Sequence, residues 1–291
     1  MEELHQPVLL SEVLAVLQPK RGESYLDLTA GYAGHASRIL DATQNYKDAV
    51  LVDRDENAAK YLTEKFRGEP VEIRRTDFCS AVRQEIECGR QYDMILMDFG
   101  VSSPQLDRAQ RGFSFAKDGP LDMRMDQTQK LDAAEIVNHW SEREIIGILE
   151  RYGEEKPGFA RLVARAIVQG RPWASTAELG RALAKYGRGG RVHPATRTFQ
   201  ATRIAVNDEL GIIERTLPLI PRVLKTGGRV AMITFHSLED RLVKDFLRAE
   251  SSLGEESALQ ILTKKPIVAG PEELFINPRA RSAKLRAAQK R

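Results

Sequence analysis

The sequence predicts an α/β fold, in which a mostly parallel sheet has helices on both faces and a helical insertion interrupts the chain. Three observations predict it. Short apolar segments alternate with helical segments over the first hundred residues, as in βαβ units. From Ser102 to Val206 this alternation stops, and the signals are helical and polar. It resumes with the apolar segment 226–235.

The predicted strands are short apolar runs that end at polar residues or glycines. Pro218 and Pro221 interrupt an apolar segment of helical spacing before the fifth strand, and they predict a kink or two short helices there. The strands are 24–30, 48–55, 71–78, 93–100 and 226–235, with one or two more within 258–268 and 282–289.

The insertion contains two signals for the start of a helix. Ser141 with Glu144, and Ser175 with Glu178, have the spacing of a capping box. We therefore predict a discontinuous α/β domain and a helical domain that recognises the substrate, with the bounds 1–102 and 207–291 for the first and 103–206 for the second.

Composition is that of an ordinary globular protein. The chain has 291 residues, of which 42% are hydrophobic, enough for a large buried core. No apolar run approaches the length of a membrane span, and the N-terminus is acidic where a signal peptide is basic. The 2 cysteines have neither metal-site nor disulfide spacing. We expect a cytoplasmic protein with no metal and no membrane partner.

Charge is unevenly distributed, although the net charge is only +3. Two stretches contain no acidic residue: the segment between Leu179 and Asn207, and the last fourteen residues. Solvated faces or a frayed tail explain such stretches, and a polyanionic partner explains them equally well. Their cations are Arg181, Lys185, Arg188, Arg191, Arg197 and Arg203 in the first, and Arg279, Arg281, Lys284, Arg286, Lys290 and Arg291 in the second.

The first two strand ends carry residues that suit a nucleoside. Asp27 precedes a turn in which Gly31 and Gly34 let a ligand approach the backbone at the start of a helix. Asp53 ends the second strand, where a carboxylate commonly accepts hydrogen bonds from ribose hydroxyls.

The next two strand ends continue this pattern. Asp77 and Phe78 end the third strand, and the Phe78 ring could cover an adenine face, while Asp98 ends the fourth. Each carboxylate taken alone is explained as a strand terminator or a helix N-cap. Acidic residues at four consecutive strand ends favour a ligand beyond that edge of the sheet.

The motifs that are absent narrow the class of ligand. The chain has neither the dinucleotide pattern G-x-G-x-x-G nor the P-loop pattern G-x-x-x-x-G-K-[ST]. The chain contains an Asp-Phe-Gly triplet, as protein kinases do, but no His-Arg-Asp sequence precedes it. A nucleoside site with several carboxylates and no phosphate cradle suits S-adenosylmethionine, which has a sulfonium and an ammonium group and no phosphate.

Four long segments resemble the bacterial MraW/RsmH methyltransferases, and the similarity runs from His5 to about Arg286. This resemblance implies a class I, Rossmann-like methyltransferase fold with a helical domain inserted after the fourth strand. It also implies methyl transfer from S-adenosylmethionine to N4 of a cytidine in the decoding region of 16S ribosomal RNA. The segments are SSPQLDRAQRGFSFAKDGPLDMRMD (102–126), HPATRTFQATRIAVNDEL (193–210), ITFHSLEDRLVKDFL (233–247) and NPRARSAKLR (277–286).

The resemblance further assigns residues to the cofactor. The family loop usually has glycine where this chain has Ala33, an exchange that fits if the backbone φ there is negative. The implied cofactor contacts are Ala33, Gly34, His35, Asp53, Phe78, Asp98 and Gln105.

Methyl transfer to an exocyclic amine needs acceptors for its N–H groups and in-line placement of its nitrogen. Our hypothesis is that Asp98 holds the cofactor or the amine, with His236 or Asp122 as a second polar group near the base. Ser237 is the predicted N-cap of the helix after the fifth strand, which makes Glu239 structural.

Two segments are candidates for contact with RNA. Asp122 and Arg124 alternate with methionines, which fits a substrate contact or an ion-paired loop with methionines in the core. Arg197, Phe199 and Arg203 suit phosphate contacts and base stacking, and an amphipathic helix with Phe199 inside explains the same pattern and can hold at the same time.

The predicted partner is the RNA of the small ribosomal subunit, in an assembled particle as the resemblance implies, and a homodimer is left open. Two other functions also remain open. One is methylation of an amine on another nucleic acid or on a small molecule. The other is an RNA-binding assembly factor that retains the cofactor without essential catalysis.

Overall fold

A computed structural model describes residues 7–187 and 193–291, except for the side chain of Glu255. The chain divides into two compact units, Met1–Gly100 with Leu210–Arg291, and Val101–Glu209. His5, Arg188 and Arg191, which the sequence analysis singled out, lie outside the described residues.

The first unit is built on one sheet of seven strands in the order β3-β2-β1-β4-β5-β7-β6. Strands β1 to β5 are parallel to one another, and β7 is antiparallel to both β5 and β6. The predicted α/β class with a mostly parallel sheet is confirmed. The strands are β1 (Tyr25–Asp27), β2 (Ala49–Asp53), β3 (Glu72–Arg75), β4 (Tyr92–Asp98), β5 (Leu224–Thr234), β6 (Leu259–Ile261) and β7 (Lys284–Lys290).

Apolar side chains cover both faces of this sheet. In β4, Met94 and Leu96 belong to one buried cluster, and Ile95 and Met97 belong to another. Successive side chains of a strand point to opposite faces, so the two clusters lie on the two sides of the sheet. Burial on both faces explains why the parallel strands appear in the sequence as continuous apolar runs.

The helices of this unit connect the strands. The segment with two prolines is divided as predicted, because a 3₁₀ turn at Leu217–Leu219 separates two helices. The α-helices that lie wholly or mainly in the unit are α1 (Leu10–Leu17), α2 (Gly34–Thr43), α3 (Glu56–Lys65), α4 (Phe78–Glu87), α11 (Glu209–Thr216), α12 (Ile220–Val223), α13 (Ser237–Ser252) and α14 (Pro271–Ile276).

The second unit is helical and has its own apolar core. The capping box at Ser141 is confirmed, because Ser141 and Glu144 exchange hydrogen bonds at the start of a helix. Ser175 also caps its helix, but Glu178 accepts the N–H of Ala174 instead of closing the box. The helices are α5 (Ser103–Asp107), α6 (Ala133–His139), α7 (Glu142–Arg151), α8 (Pro157–Gln169), α9 (Thr176–Ala184) and α10 (Ala195–Asn207).

The basic C-terminal segment is part of the sheet. The interpretation of these cations as a frayed tail is wrong, because β7 lies between β5 and β6. Arg286 is buried, and its Nε lies 2.7 Å from Oδ1 of Asp240, while Nζ of Lys284 lies 3.0 Å from Oδ2 of the same residue. Lys290 donates to the carbonyl of Leu224 at 2.7 Å. Lys284, Arg286 and Lys290 therefore make contacts within the α/β unit.

No helix in the described ranges has the length and the apolar character needed to cross a membrane.

Close backbone packing at Gly119 provides a test of the helical unit. A Cβ atom at Gly119 would lie 1.9 Å from the carbonyl oxygen of Ala109, whereas one at Gly147, inside α7, would meet nothing within 4 Å. We expect Gly119→Ala to lower the free energy of unfolding by about 2–3 kcal/mol through overpacking. Gly147→Ala should raise it by about 0.5–1 kcal/mol through backbone entropy.

Both variants are measured by urea unfolding followed by tryptophan fluorescence. Trp140 and Trp173 are the 2 tryptophans of the chain, and both lie in the helical unit. Equal stability of the Gly119→Ala variant and the wild type would contradict the packing described for this turn.

Candidate functional site

Three aspartates end parallel strands at one edge of the sheet. Asp27, Asp53 and Asp98 are the last residues of β1, β2 and β4. Because β1 pairs in parallel with both β2 and β4, these residues share the edge at which α/β proteins bind ligands. Three of the four acidic residues that the sequence places at strand ends therefore end strands at this edge, whereas β3 ends at Arg75.

Asp53 supports the glycine turn. Its Oδ2 accepts the N–H of Gly31 at 2.9 Å, and its Oδ1 accepts the N–H of Asp55 at 2.7 Å. Gly31 has a φ of 50°, in the left-handed region that glycine tolerates best. Burial raises the pKa of Asp53 to about 6, although both backbone N–H groups oppose this rise. The carboxylate thus holds the turn and keeps lone pairs for a ligand.

Asp27 is the most deeply buried of the three carboxyl groups. The Tyr25 hydroxyl donates to its Oδ2 at 2.7 Å, and the N–H of Thr29 donates to its Oδ1 at 3.1 Å. Burial raises its pKa to about 7, and the charge of Asp53 adds to the rise. In the free protein this carboxyl group is therefore partly protonated near neutral pH.

Asp98 has a buried oxygen without a partner. Its backbone N–H donates to Oγ1 of Thr29 at 2.6 Å, which fixes the residue at the end of β4. Within the described part of the chain, its Oδ1 is buried and accepts no hydrogen bond. Burial raises the pKa of Asp98 well above its ordinary value, with further contributions from the charges of Asp27 and Glu239.

His35 connects Asp98 to the N-terminal segment. The imidazole Nε2 donates to the carbonyl of Val8 at 2.9 Å, and its Nδ1 lies 3.8 Å from Oδ2 of Asp98. Because a carbonyl can only accept, the imidazole carries a proton on Nε2. His35 thus lies beside Asp98, in the turn region that the sequence assigned to the cofactor.

The expectation of a negative φ at Ala33 is wrong. Ala33 has a φ of 60° and a ψ of 28°, as the left-handed N-cap of α2. Such a conformation costs a residue with a Cβ atom about 1–2 kcal/mol, which explains why glycine is usual here in the family. A Cβ atom at the neighbouring Gly34 would lie 3.0 Å from the Cβ of Pro7. Gly34 is therefore needed for close packing against the chain itself.

Phe78 begins α4 beside a capping aspartate. Asp77 accepts the N–H groups of Cys79 and Ser80 at 2.9 and 3.0 Å, so the N-cap interpretation holds for this carboxylate. The half-buried ring of Phe78 lies 5.9 Å from the ring of Phe99, measured between centroids. Phe99 is buried, and Phe78 packs against the same apolar cluster on one face of the sheet.

The predicted N-cap of α13 is wrong by one residue. His236 is the cap, and its Nδ1 accepts the N–H of Glu239 at 3.4 Å, whereas Ser237 is the first helical residue. Glu239 reaches back to accept the N–H of Phe235 at 2.7 Å. Nε2 of His236 also lies 3.1 Å from Oε1 of Glu239. Both side chains organise the start of α13, and a catalytic role of His236 stays a prediction.

In the helical unit, Gln105 and the loop after it make internal contacts. Oε1 of Gln105 accepts the N–H of Ser102 at 2.9 Å at the start of α5. Asp122 binds the Arg124 guanidinium through both carboxylate oxygens, at 2.9 and 2.8 Å. The methionines of this loop, Met123 and Met125, are buried. The ion-paired alternative describes the loop, and roles for Gln105, Asp122 and Arg124 in binding stay predictions.

The basic helix α10 separates into buried and exposed residues. Phe199 is buried and packs against the ring of Phe115 at a centroid distance of 5.0 Å, so the prediction that it stacks on a base gives way to the alternative of a core residue. Arg203 is held by Glu209 through two contacts of 2.8 Å. Arg197, whose side chain is 52% exposed, is the member of this set that faces solvent.

Two residues near Asp98 were missed as site residues by the sequence analysis. Thr29 fixes the backbone of Asp98, and the charge of Glu239 raises the pKa of Asp98. The sequence contains a signal for Thr29, because it lies two residues after Asp27, the last residue of the first strand. Glu239 gives no such signal, since it belongs to another element. Among the described residues, no cluster of three metal-ligating side chains occurs.

Comparison with known proteins gives a consistent result. The sequence profile of the MraW methylase family matches residues 2–291. Three bacterial relatives are each named Ribosomal RNA small subunit methyltransferase H. The protein of Synechocystis sp. is 47% identical and the match covers 98% of this chain and 93% of the relative. The values are 46%, 99% and 99% for Acidobacterium capsulatum, and 49%, 99% and 95% for Cyanothece sp..

The pKa of Asp27 predicts how stability varies with pH. It is about 7 in the folded protein against an ordinary value of 3.8, so the folded state binds the proton more tightly than the unfolded state. The contribution of Asp27 to the free energy of unfolding therefore falls as pH rises through this interval, by up to about 1.4 kcal/mol per pH unit. Asp27→Asn removes this contribution and should gain stability relative to the wild type between pH 5 and pH 8.

The measurement is urea unfolding of both proteins at pH 5 and pH 8 without ligand. Asp41→Asn, at an exposed position of α2, is the control and should leave the pH dependence unchanged. A difference between Asp27→Asn and wild type that is equal at both pH values would contradict the raised pKa.

Proposed function

This chain belongs to the MraW methylase family, and from that premise we propose that it transfers a methyl group from S-adenosylmethionine to N4 of a cytidine in the decoding region of 16S ribosomal RNA. The relatives that match nearly the whole chain are named as methyltransferases of small-subunit ribosomal RNA. The choice of N4 and of the decoding region comes from the resemblance of four long sequence segments.

The observation that best supports the proposal is the environment of the Asp98 carboxyl group. Its Oδ1 is buried and, within the described residues, accepts no hydrogen bond. A buried carboxylate oxygen without a partner costs free energy, which a ligand that donates hydrogen bonds or carries positive charge recovers. An amine and a cationic cofactor both meet that requirement.

The carboxyl groups around Asp98 fit S-adenosylmethionine. The charges of Asp27 and Glu239 act on Asp98, and that of Asp53 acts on Asp27, so this edge of the sheet favours a cation. Asp53 ends β2, where a carboxylate commonly accepts hydrogen bonds from ribose hydroxyls. Phe78 follows β3, the strand next to β2, and offers an apolar ring. When bound, the cofactor supplies a methyl group that is already activated by a cationic sulfur.

The protein's own residues then have two tasks. Asp98 accepts a hydrogen bond from the amine, which positions the nitrogen and directs its lone pair towards the methyl group. Asp98 also takes up the proton that the nitrogen loses after transfer. Thr29 keeps the backbone of Asp98 fixed during both steps, through the hydrogen bond of 2.6 Å.

The secondary polar groups differ in the support that they receive. His236 caps α13 beside Glu239, whose charge acts on Asp98, and this supports a place for His236 near the base. Asp122 is neutralised by Arg124, so a role as proton acceptor receives no support. For RNA contact, Arg203 is held by Glu209 at 2.8 Å and Arg197 by Glu155 at 3.5 Å, and the greater exposure of Arg197, 52% against 16%, favours it.

The experiment that tests the function uses small ribosomal subunits that lack the modification. Purified protein transfers a labelled methyl group to them, and the RNA is digested to nucleosides for analysis. Label in N4-methylated cytidine is the expected result. Label in another nucleoside would discard the target, label only on DNA or a small molecule would support the first alternative, and RNA binding without label would support the assembly factor.

The role of Asp98 is tested by substitution. Asp98→Asn keeps the shape of the side chain but removes the proton acceptor, and we expect it to lower kcat by about 10²–10⁴-fold, the usual range for loss of such a group. The same labelled-transfer assay measures the rate, and Asp41→Asn is the control. Full activity of the Asp98→Asn variant would show that Asp98 takes no proton.

The raised pKa values predict a pH dependence of cofactor binding. Asp53 and Asp27 have pKa values of about 6 and about 7 in the free protein. Because a cation favours ionised carboxylates, binding releases protons, and the affinity for S-adenosylmethionine should rise as pH increases from 5 to 7. Titration calorimetry in two buffers of different ionisation enthalpy measures the protons released. An affinity that is constant over this interval would contradict the assignment of the cofactor to this edge.

A further inference from the structure

The segment between β6 and β7 presents an unusual set of apolar side chains to solvent. We call residues 262–283 the β6–β7 connection. It contains α14, and four of the six exposed large hydrophobic residues of the described chain belong to it. Their exposed fractions are 41% for Leu262, 58% for Val268, 88% for Phe275 and 60% for Ile276. Apolar residues that cluster on a surface mark an interaction site more often than scattered ones do.

The connection is held firmly from its inner side. Leu274 packs against the apolar core, and Oε1 of Glu273 accepts the N–H of Leu9 at 2.7 Å. Ile267 forms a β-bridge with Leu285. Because α14 is anchored through these residues, the exposure of Phe275 is not a consequence of fraying. The fold holds this aromatic ring in water, where it gains nothing from burial.

Two arginines follow the exposed ring at short range. A 3₁₀ helix spans Pro278–Ser282, and Ala280 and Ala283 are both buried with 1% exposure. These alanines anchor one side of the segment, and Arg279 and Arg281 are left on the exposed side. The sequence motif NPRARS therefore forms an anchored turn with two exposed arginines, a few residues after Phe275 in the chain.

The charge of the connection favours a polyanion. Its charged residues are four cations and two acids, and one of the acids, Glu273, is used by the N–H of Leu9. Lys264 and Lys265 are exposed on the other side of Val268 in the chain. A second copy of the chain is less suitable, because a two-fold contact through this surface would bring two segments of the same net positive charge together. Basic side chains combined with an aromatic ring are typical of surfaces that bind single-stranded nucleic acid.

We propose that the β6–β7 connection binds a single-stranded segment of the RNA substrate. A base stacks on Phe275, and the adjacent phosphates contact Arg279 and Arg281. This inference rests on the proposed function, since it names a part of the protein that holds the same RNA. The surface lies in the α/β unit, so substrate recognition is not confined to the helical unit.

The stacking contact is tested with a pair of variants at one position. Phe275→Ala should raise KM for small ribosomal subunits by about tenfold and leave kcat unchanged, in line with the loss of one base–aromatic stack. Phe275→Trp keeps an aromatic face and should restore KM. Leu253→Ala removes an exposed apolar side chain outside the connection and is the control. A KM that is unchanged in Phe275→Ala would overturn the inference.

The phosphate contact is tested by the salt dependence of binding. The affinity of the protein for 16S ribosomal RNA is measured at several salt concentrations, without cofactor. Arg281→Ala should reduce the slope of log affinity against log salt by about one. Arg83→Ala, an exposed arginine of α4, should leave the slope unchanged. Equal slopes for wild type and Arg281→Ala would overturn the phosphate contact.

Cross-linking identifies what the surface touches. Phe275→p-benzoylphenylalanine places a photoreactive ring at the site, and irradiation with assembled subunits should give a cross-link to RNA. A cross-link only to a ribosomal protein, or only to a second copy of this chain, would overturn the inference. RNA binding and cross-linking do not require methyl transfer. Failure of the proposed function would therefore appear as absence of N4-methylated cytidine, independently of these results.

Discussion

The structure depends on carboxyl groups that are buried together at one edge of the sheet. Parallel pairing brings the ends of β1, β2 and β4 to the same edge, and each strand ends in an aspartate. Burial raises the pKa of all three, and the charge of Glu239 adds to the rise at Asp98. Ionising a buried carboxyl group costs free energy in the free protein. A cation at this edge lowers that cost, and S-adenosylmethionine is a cation.

The surroundings of these carboxyl groups are arranged to keep one of them available. Asp53 closes the glycine turn, and Asp27 is bound by Tyr25 and Thr29. Asp98, in contrast, retains a buried Oδ1 that accepts no hydrogen bond in the described chain. Asp27 and Asp53 therefore hold the backbone at this edge, and Asp98 has the buried oxygen that only a ligand can satisfy. In our proposal, RNA contacts come from surfaces on both units.

Local signals allowed the sequence to predict much of this arrangement, and its errors arise where a contact is distant in sequence or where an unusual residue type occupies a local position. The capping box at Ser141 and the carboxylates at strand ends depend on near neighbours, and they were predicted. The cap of α13 was misplaced because an imidazole, His236, replaces the expected hydroxyl. Phe199 became a core residue because Phe115, far away in sequence, packs on it. The basic C-terminal segment forms β7, whose pairing with β5 no local pattern indicates.

The most direct test of the central claim is the protonation state of Asp98 itself. Carbon-detected NMR of the aspartate carboxyl groups, assigned with the Asp98→Asn variant, follows this state across a pH titration with and without S-adenosylmethionine. The account predicts that Asp98 in the free protein keeps its proton to a higher pH than an exposed aspartate does, since burial raises its pKa well above the ordinary value, and that the bound cation lowers this pKa. An Asp98 that titrates in the ordinary range in the free protein and is unchanged by the cofactor would contradict it.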